Sequence, residues 1–150
     1  MLDAQILVRL RQLLRALLAA GLVGSAVDLL FLDHVEDPLQ LVPLAAIGLS
    51  LGALGWHAAS PRAAAVRGFQ IAMVLLTATA VIGIALHGRG SVEFQHDMDP
   101  SLSGLNLLVT VLRAKSPPTL APGNLALLGL VGLASTYRQR ATLDRPIPGG

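Results

Sequence analysis

Histidines and carboxylates recur in two stretches of the chain that separate apolar segments, and these residue types can bind a divalent metal. Neutral imidazole nitrogen and carboxylate oxygen ligate zinc, copper, nickel, manganese and iron. The candidate ligands are His34, His87, Glu93 and His96, with Glu36 and Asp97 as alternates. No His-Glu-x-x-His pair is present, so the spacing supports a metal site only as a hypothesis, and a solvated surface is the alternative.

A single carboxylate, Asp28, lies within an apolar stretch of the chain. An acidic side chain inside a membrane is costly, which makes Asp28 a candidate proton or ion relay. Because it lies only a few residues before Asp33, the alternative is an acid near the membrane surface whose side chain reaches outward. Both interpretations stay open at the level of sequence.

Most other patterns that carry chemistry are missing. The chain has no cysteine, which excludes disulfides, thiolate metal ligands and covalent haem attachment. It contains no phosphate-binding or dinucleotide fingerprint and no ordered nucleophile motif. Aromatic residues make up only 3% of the chain, which leaves little surface for stacking a quinone, nucleotide or pigment. A function without catalysis is therefore favoured, with no assigned cofactor beyond a candidate divalent metal.

Four long apolar runs must position these residues. Of the 150 residues, 53% are hydrophobic and 13% are charged, whereas a soluble domain has about 25% charged residues. The runs extend from residues 16 to 32, 39 to 56, 68 to 86 and 120 to 137, and a helix of roughly 17 to 25 residues crosses the hydrocarbon core. Because backbone polar groups in lipid must be satisfied within the segment, we predict an all-α fold with four transmembrane helices in a compact bundle.

Helix boundaries follow from proline and glycine. Capping residues stand before Pro38, Pro61 and Pro100, as is typical of helix starts, and Gly88 and Gly90 are expected to end the third helix. We predict one membrane domain, residues 1–140, with helices at about 5–32, 38–59, 61–87 and 120–139. A tail, residues 141–150, is expected to be disordered.

An outer cap is predicted over residues 88–119, with a short amphipathic helix at about 100–115. Apolar residues recur there at helical spacing, namely Leu102, Leu105, Leu108, Val109 and Leu112. Such a helix is expected to lie along the outer membrane interface. A short helix docked on the other helices is the alternative.

Basic residues lie in alternate connections and predict the orientation. One side carries Arg9, Arg11, Arg15, Arg62, Arg67, Arg138, Arg140 and Arg145, whereas the other carries only Arg89, Arg113 and Lys115. The basic excess of short loops stays in the cytoplasm, so we expect a bacterial-type inner membrane protein with both termini cytoplasmic. This topology accounts for the basic charge without a nucleic-acid partner.

Two features near the basic side qualify this topology. Trp56 and His57 end the second run and are expected to be interfacial anchors. The alternative for the first run is a cleaved signal peptide, with Gly24, Ser25 and Ala26 at the cleavage point. We favour a retained helix because the run continues apolar beyond that point.

Small residues recur where helix backbones can approach closely. The predicted packing positions are Gly21, Gly24, Gly48, Gly52, Gly129 and Gly132. Small residues are the ordinary means of tight helix association in lipid. The leading hypothesis is therefore an accessory, assembly or interaction subunit of a membrane complex or homo-oligomer, with the bilayer and another membrane protein or a second copy as partners. The alternative is an outer-face metal-binding or cation- or proton-handling protein that uses the histidine and acid cluster.

Overall fold

The computed structural model describes residues 2–33, 37–60, 62–114, 120–137 and 139. Its helices are α1 (Leu2–Phe31), α2 (Leu41–Ala59), α3 (Ala63–Met98), α4 (Gly104–Leu112) and α5 (Leu120–Ser135), with a 3-10 turn at Pro38–Gln40. The described residues contain no strand, and the predicted all-helical class is confirmed. The predicted tail, residues 141–150, lies outside the described residues.

Three helices are long and apolar enough to cross a membrane, as judged by length and composition: Ala4–Phe31, Pro38–Ala59 and Ala63–Met98. This finding indicates a membrane protein. The fourth apolar run forms α5, which has 16 residues and is about 24 Å long, shorter than the roughly 30 Å hydrocarbon core. The α-helix ends about one turn earlier than predicted because the chain enters turns at Thr136 and Tyr137.

Helices α1, α2, α3 and α5 pack in a ring. Helix α3 contacts α2 and α5 most extensively, and α1 contacts the same two helices but not α3 in the described part of the chain. The shared core is apolar and includes Leu18, Leu22, Ile47, Phe69, Met73, Leu76 and Leu128. A polar contact joins α5 to α1, where Asn124 Nδ2 donates to Ser25 Oγ at 3.0 Å.

Three of the six predicted packing glycines lie at close helix contacts. A Cβ added at Gly129 would lie 2.9 Å from the carbonyl oxygen of Met73 in α3, and Gly132 faces the side chain of the same methionine. A Cβ at Gly21 of α1 would lie 2.5 Å from a methyl group of Leu128 in α5. Glycine at these positions therefore lets α5 approach both α3 and α1.

The other three predicted packing glycines make no close contact within the described part of the chain. Nothing lies within 4 Å of a Cβ built at Gly24, Gly48 or Gly52. A glycine that was not predicted has a contact of this kind, since a Cβ at Gly68 would lie 2.6 Å from the Trp56 ring. Packing of α2 on α3 therefore uses an indole ring against a glycine.

Gly129→Ala is expected to lower the thermal unfolding midpoint of the detergent-solubilised protein. The new methyl group would meet the α3 backbone, which cannot rotate away as a side chain can, and overpacking of this kind costs about 1–3 kcal/mol. Gly24→Ala is the matched control, because its methyl group enters open space. Equal effects of the two substitutions on the midpoint would contradict this account of the α3–α5 contact.

Helix α3 runs without a break from Ala63 to Met98, so the predicted helix end at residue 87 is wrong. Gly88 and Gly90 lie within the helix. A glycine weakens a helix by about 1 kcal/mol relative to alanine, a penalty that the flanking turns can offset. One contribution is the ion pair of Arg89 Nε with Glu93 Oε1 at 2.7 Å, which has the spacing that stabilises a helix.

Gly90→Ala is expected to stabilise the polar end of α3. The position is exposed, and nothing lies within 4 Å of the added Cβ, so removal of the glycine penalty should add about 0.5–1 kcal/mol to local helix stability. Slower amide hydrogen exchange over residues 88–98 would report the gain. Faster exchange there would indicate that the backbone at Gly90 departs from the helix.

The predicted capping residues differ in what they do. Asp37 caps the turn before α2, since its Oδ1 accepts a hydrogen bond from the Leu39 amide at 2.7 Å. Asp99 accepts bonds from the amide and hydroxyl of Ser101, at 3.0 and 2.6 Å, and these bonds hold the pKa of Asp99 below its usual value. Asp99 therefore stabilises a turn, and Ser103 is the residue before α4.

Helix α4 is shorter than the predicted helix at 100–115, and it packs against α3. Val111 is buried, whereas a stripe of leucines one and two turns apart is exposed, namely Leu105, Leu108 and Leu112. Helix α4 thus has one apolar side against the protein and a second apolar side facing outward.

Candidate functional site

The structure does not bring the predicted metal ligands together. His87, Glu93 and His96 all lie on α3, and the unbroken helix separates His87 from His96 by about 13 Å along its axis. Ligand atoms must lie about 2.0–2.3 Å from a common ion, so these histidines cannot share one. No group of three histidine, aspartate or glutamate side chains able to hold a metal occurs among the described residues.

The remaining predicted site residues are dispersed. Asp97 is exposed on α3, and His34 and Glu36 lie outside the described residues. Asp28 is exposed on α1, whereas Ser25 and Leu29 are buried. Its side chain therefore faces the surroundings and not the core shared by the helices.

A polar cluster lies at the end of the helices that includes the α2–α3 connection. We name this region the basic end and its polar residues the basic-end cluster: Arg11, Arg15, His57, Gln70, Thr136 and Gln139. Arg11 Nη2 donates to the carbonyl oxygen of Tyr137 at 2.6 Å. Gln70 Nε2 donates to Thr136 Oγ1 at 3.0 Å. These bonds connect the end of α5 to both α1 and α3.

His57 is the most enclosed of these residues. Its side chain is 1% exposed, and its ring stacks on Phe69 with centroids 5.4 Å apart and planes at 15°. Neither ring nitrogen makes a hydrogen bond of good geometry in the described structure, although the Gln139 side chain lies close enough to the imidazole to interact with it. The buried Arg11 Nε has no partner among the described residues. The expectation that His57 anchors the chain at the membrane surface is therefore wrong: the imidazole faces inward.

The spacing of the buried residues in α2 explains why His57 faces inward. Ile47, Ser50, Leu54 and His57 follow one another at steps of three, four and three residues and form the buried face of α2. Residues at such steps share one side of a helix. The adjacent Trp56 is about half exposed. His57, the next residue, points to a different side of the helix and is buried.

The basic end has cationic side chains without a described acidic partner. Acidic residues with described side chains lie in the last turn of α1, between α1 and α2, or near the C-terminal end of α3, all at the opposite end of the ring. The ion pair found among the described residues joins Arg89 to Glu93, also at that opposite end. Arg11 and Arg15, which are both half-buried, consequently lack a carboxylate among the described side chains.

Two open grooves flank α1 at the basic end. One, of about 340 Å³, lies between α1 and α5 and is lined by Leu7, Leu10, Arg11, Leu14, Ala134 and Tyr137. The other, of about 410 Å³, lies between α1 and α2 and is lined by Gln12, Arg15, Ala16, Leu54 and Ala58. Each groove combines an apolar wall with an arginine.

Comparison with known proteins identifies no relative: a scan against protein-family models, a search of curated proteins and a search of solved structures each find no match. Function is therefore inferred from the residues of the chain and their geometry.

His57→Leu is expected to preserve or raise the thermal unfolding midpoint in lipid-free detergent. Leucine removes two buried nitrogens that make no hydrogen bond of good geometry, and burial of an unsatisfied polar group costs about 1–3 kcal/mol. His96→Leu, at an exposed position of α3, is the control for the loss of an imidazole. A large decrease confined to His57→Leu would show that the His57 nitrogens stabilise the folded protein.

Proposed function

We propose that the chain is a non-enzymatic interaction subunit of a membrane complex or homo-oligomer. The observation that carries this proposal is a line of small residues on the outer face of α2. We name it the α2 stripe, and it consists of Ala45, Gly48, Gly52, Gly55 and Ala59. All five residues are exposed.

The α2 stripe has the geometry of a helix-packing surface. Its members alternate at steps of three and four residues, a spacing that keeps one seam directed at a neighbouring helix. Nothing lies within 4 Å of a Cβ built at Gly48, Gly52 or Gly55. Each glycine lowers the intrinsic stability of the helix relative to alanine, and no contact among the described residues requires it. Close approach of another helix would supply the compensating interaction.

The outer face of α3 differs in kind. Its exposed residues include large aliphatic side chains, namely Ile71, Val74, Leu75, Val81 and Ile82. Such side chains are suited to contact with lipid tails. Helix α2 exposes large side chains as well, namely Leu41, Val42 and Leu49, but its stripe of small residues leaves room for a second helix backbone. The contrast between the two faces favours α2 as the partner-binding helix.

We also propose that α5 is a fourth membrane span, and that both termini lie on the cytoplasmic side of a bacterial-type inner membrane. Packing of α5 along α3 and α1 and the arginine excess at the basic end support this topology. Helix α4 would then lie at the opposite interface, with its exposed leucines directed toward the acyl chains.

Ala45→Leu is expected to shift the protein to a smaller assembly, because a leucine side chain would fill the room along the α2 stripe. Ala78→Leu is the matched control, since Ala78 is an exposed alanine on α3. Native mass spectrometry of the detergent-solubilised complexes should show wild type and Ala78→Leu in the larger species and Ala45→Leu as the free 15.6 kDa chain.

Disulfide cross-linking identifies the occupant of the α2 stripe. The natural chain has no cysteine, so Gly52→Cys introduces a single thiol, and oxidation in membranes should trap either a dimer of this chain or a disulfide with a cysteine of a partner. Ala78→Cys should not be trapped. An unchanged assembly in Ala45→Leu, together with no specific cross-link at Gly52→Cys, would refute the proposed role of the stripe.

A further inference from the structure

The groove between α1 and α2 combines a polar edge with an apolar wall. Gln12 and Arg15 provide the polar edge, and Ala16, Leu54 and Ala58 provide the wall. Leu54 is buried and lies on a different side of α2 from the α2 stripe, whereas Ala58 is exposed and follows Gly55 by about one turn. The polar edge of the groove belongs to α1 and is separate from the proposed partner surface.

Arg15 can accept an external ligand. Its Nε donates to the carbonyl oxygen of Arg11 at 3.2 Å, and this is the hydrogen bond that the described structure gives its guanidinium. Among the side chains that the structure describes, which do not include that of Asp3, no carboxylate lies at this end of the ring. A half-buried cation without a counter-ion is unfavourable, so an anion that reaches the groove would meet a charge that no described side chain compensates.

A second observation at the basic end points in the same direction. His57 is almost completely buried and lies close to both Arg15 and the Gln139 side chain, without a hydrogen bond of good geometry. Arg11 Nε is buried without a partner among the described residues. Buried polar atoms are nearly always hydrogen-bonded in folded proteins, so the polar groups of the basic end, beside the groove, are incompletely satisfied by the described residues.

We propose that this groove binds the phosphate of an anionic phospholipid through Arg15 and Gln12, with an acyl chain along Ala16 and Leu54. Arg15 directly precedes the apolar run that begins at Ala16, so it stands at the boundary where lipid phosphates lie. A guanidinium group binds phosphate with paired hydrogen bonds. A net negative headgroup is favoured over a zwitterionic one because arginines predominate at the basic end.

Native mass spectrometry with defined lipids tests this site. Delipidated protein in detergent is titrated with phosphatidylglycerol or phosphatidylcholine of identical acyl chains. Wild type should prefer phosphatidylglycerol by about fivefold or more, the contribution of one basic residue at a membrane surface. Arg15→Gln should remove this preference. Arg62→Gln removes the same charge from an exposed position at the same end. This variant should retain most of the preference for phosphatidylglycerol.

A variant that keeps every charge tests the groove itself. Ala58→Phe places a ring in the groove from an exposed position and should reduce phosphatidylglycerol binding while helicity is unchanged. Equal affinity of wild type for the two lipids, equal losses in Arg15→Gln and Arg62→Gln, or unchanged binding in Ala58→Phe would each overturn the proposal.

Two further arms distinguish lipid binding from capture of a free anion and from an effect of self-association. Inorganic phosphate alone should not reproduce the thermal stabilisation given by phosphatidylglycerol, and equal stabilisation by phosphate would assign the groove to a free anion and overturn the lipid assignment. The lipid preference should persist in Ala45→Leu, the variant directed at the α2 stripe. A preference lost in Ala45→Leu, with helicity intact, would overturn the claim that the groove acts independently of self-association.

Discussion

The close approach of α5 to α3 determines much of the remaining structure. At Gly129 the two backbones are near enough that a Cβ would meet the carbonyl oxygen of Met73. In lipid, apolar burial provides little drive between helices, so tight van der Waals contact of this kind must hold them. The contact also fixes the position of α5 along its axis relative to α3. This register places Thr136 beside Gln70 and Tyr137 beside Arg11.

The arrangement at the basic end therefore follows from packing in the middle of the ring. Gly21 lets α1 approach Leu128 from the other side of α5, which places Arg11 and Arg15 beside the ends of α5 and α2. His57 enters from α2 and is covered by Phe69 of α3. Residues far apart in sequence thus form one polar region without an ion pair among the described side chains, because the helix registers are set elsewhere.

Hydropathy and residue size are sufficient to predict the helical class and part of the packing. Long apolar runs leave helices as the only reasonable element, and residue size alone identifies Gly21, Gly129 and Gly132. Gly88 and Gly90 led to the wrong prediction of a helix end at residue 87. Each glycine lowers helix stability by about 1 kcal/mol, which is not enough to end this helix. The helix persists because residues on both sides continue its hydrogen-bonded ladder.

The candidate site is harder to predict for a different reason. Sequence spacing groups residues such as His87, Glu93 and His96, but a rigid helix spreads them along its axis. The polar residues that do come together, such as Arg15, His57 and Gln139, lie on three separate segments, and only the registers of α1, α2 and α5 make them neighbours. The helical period of α2 predicts that His57 faces inward, but it does not predict which residues of the other helices contact the imidazole.

The two proposals made for α2 rest on different residues of one short helix. The α2 stripe has no polar group to satisfy and offers only backbone proximity, so it suits another helix. The flank formed by Leu54 and Ala58 faces Arg15 of α1, so it combines apolar area with a charge that lacks a described counter-ion. A ligand with both an anionic group and an apolar chain matches that combination, whereas a purely apolar helix would leave the guanidinium unpaired and would be disfavoured there.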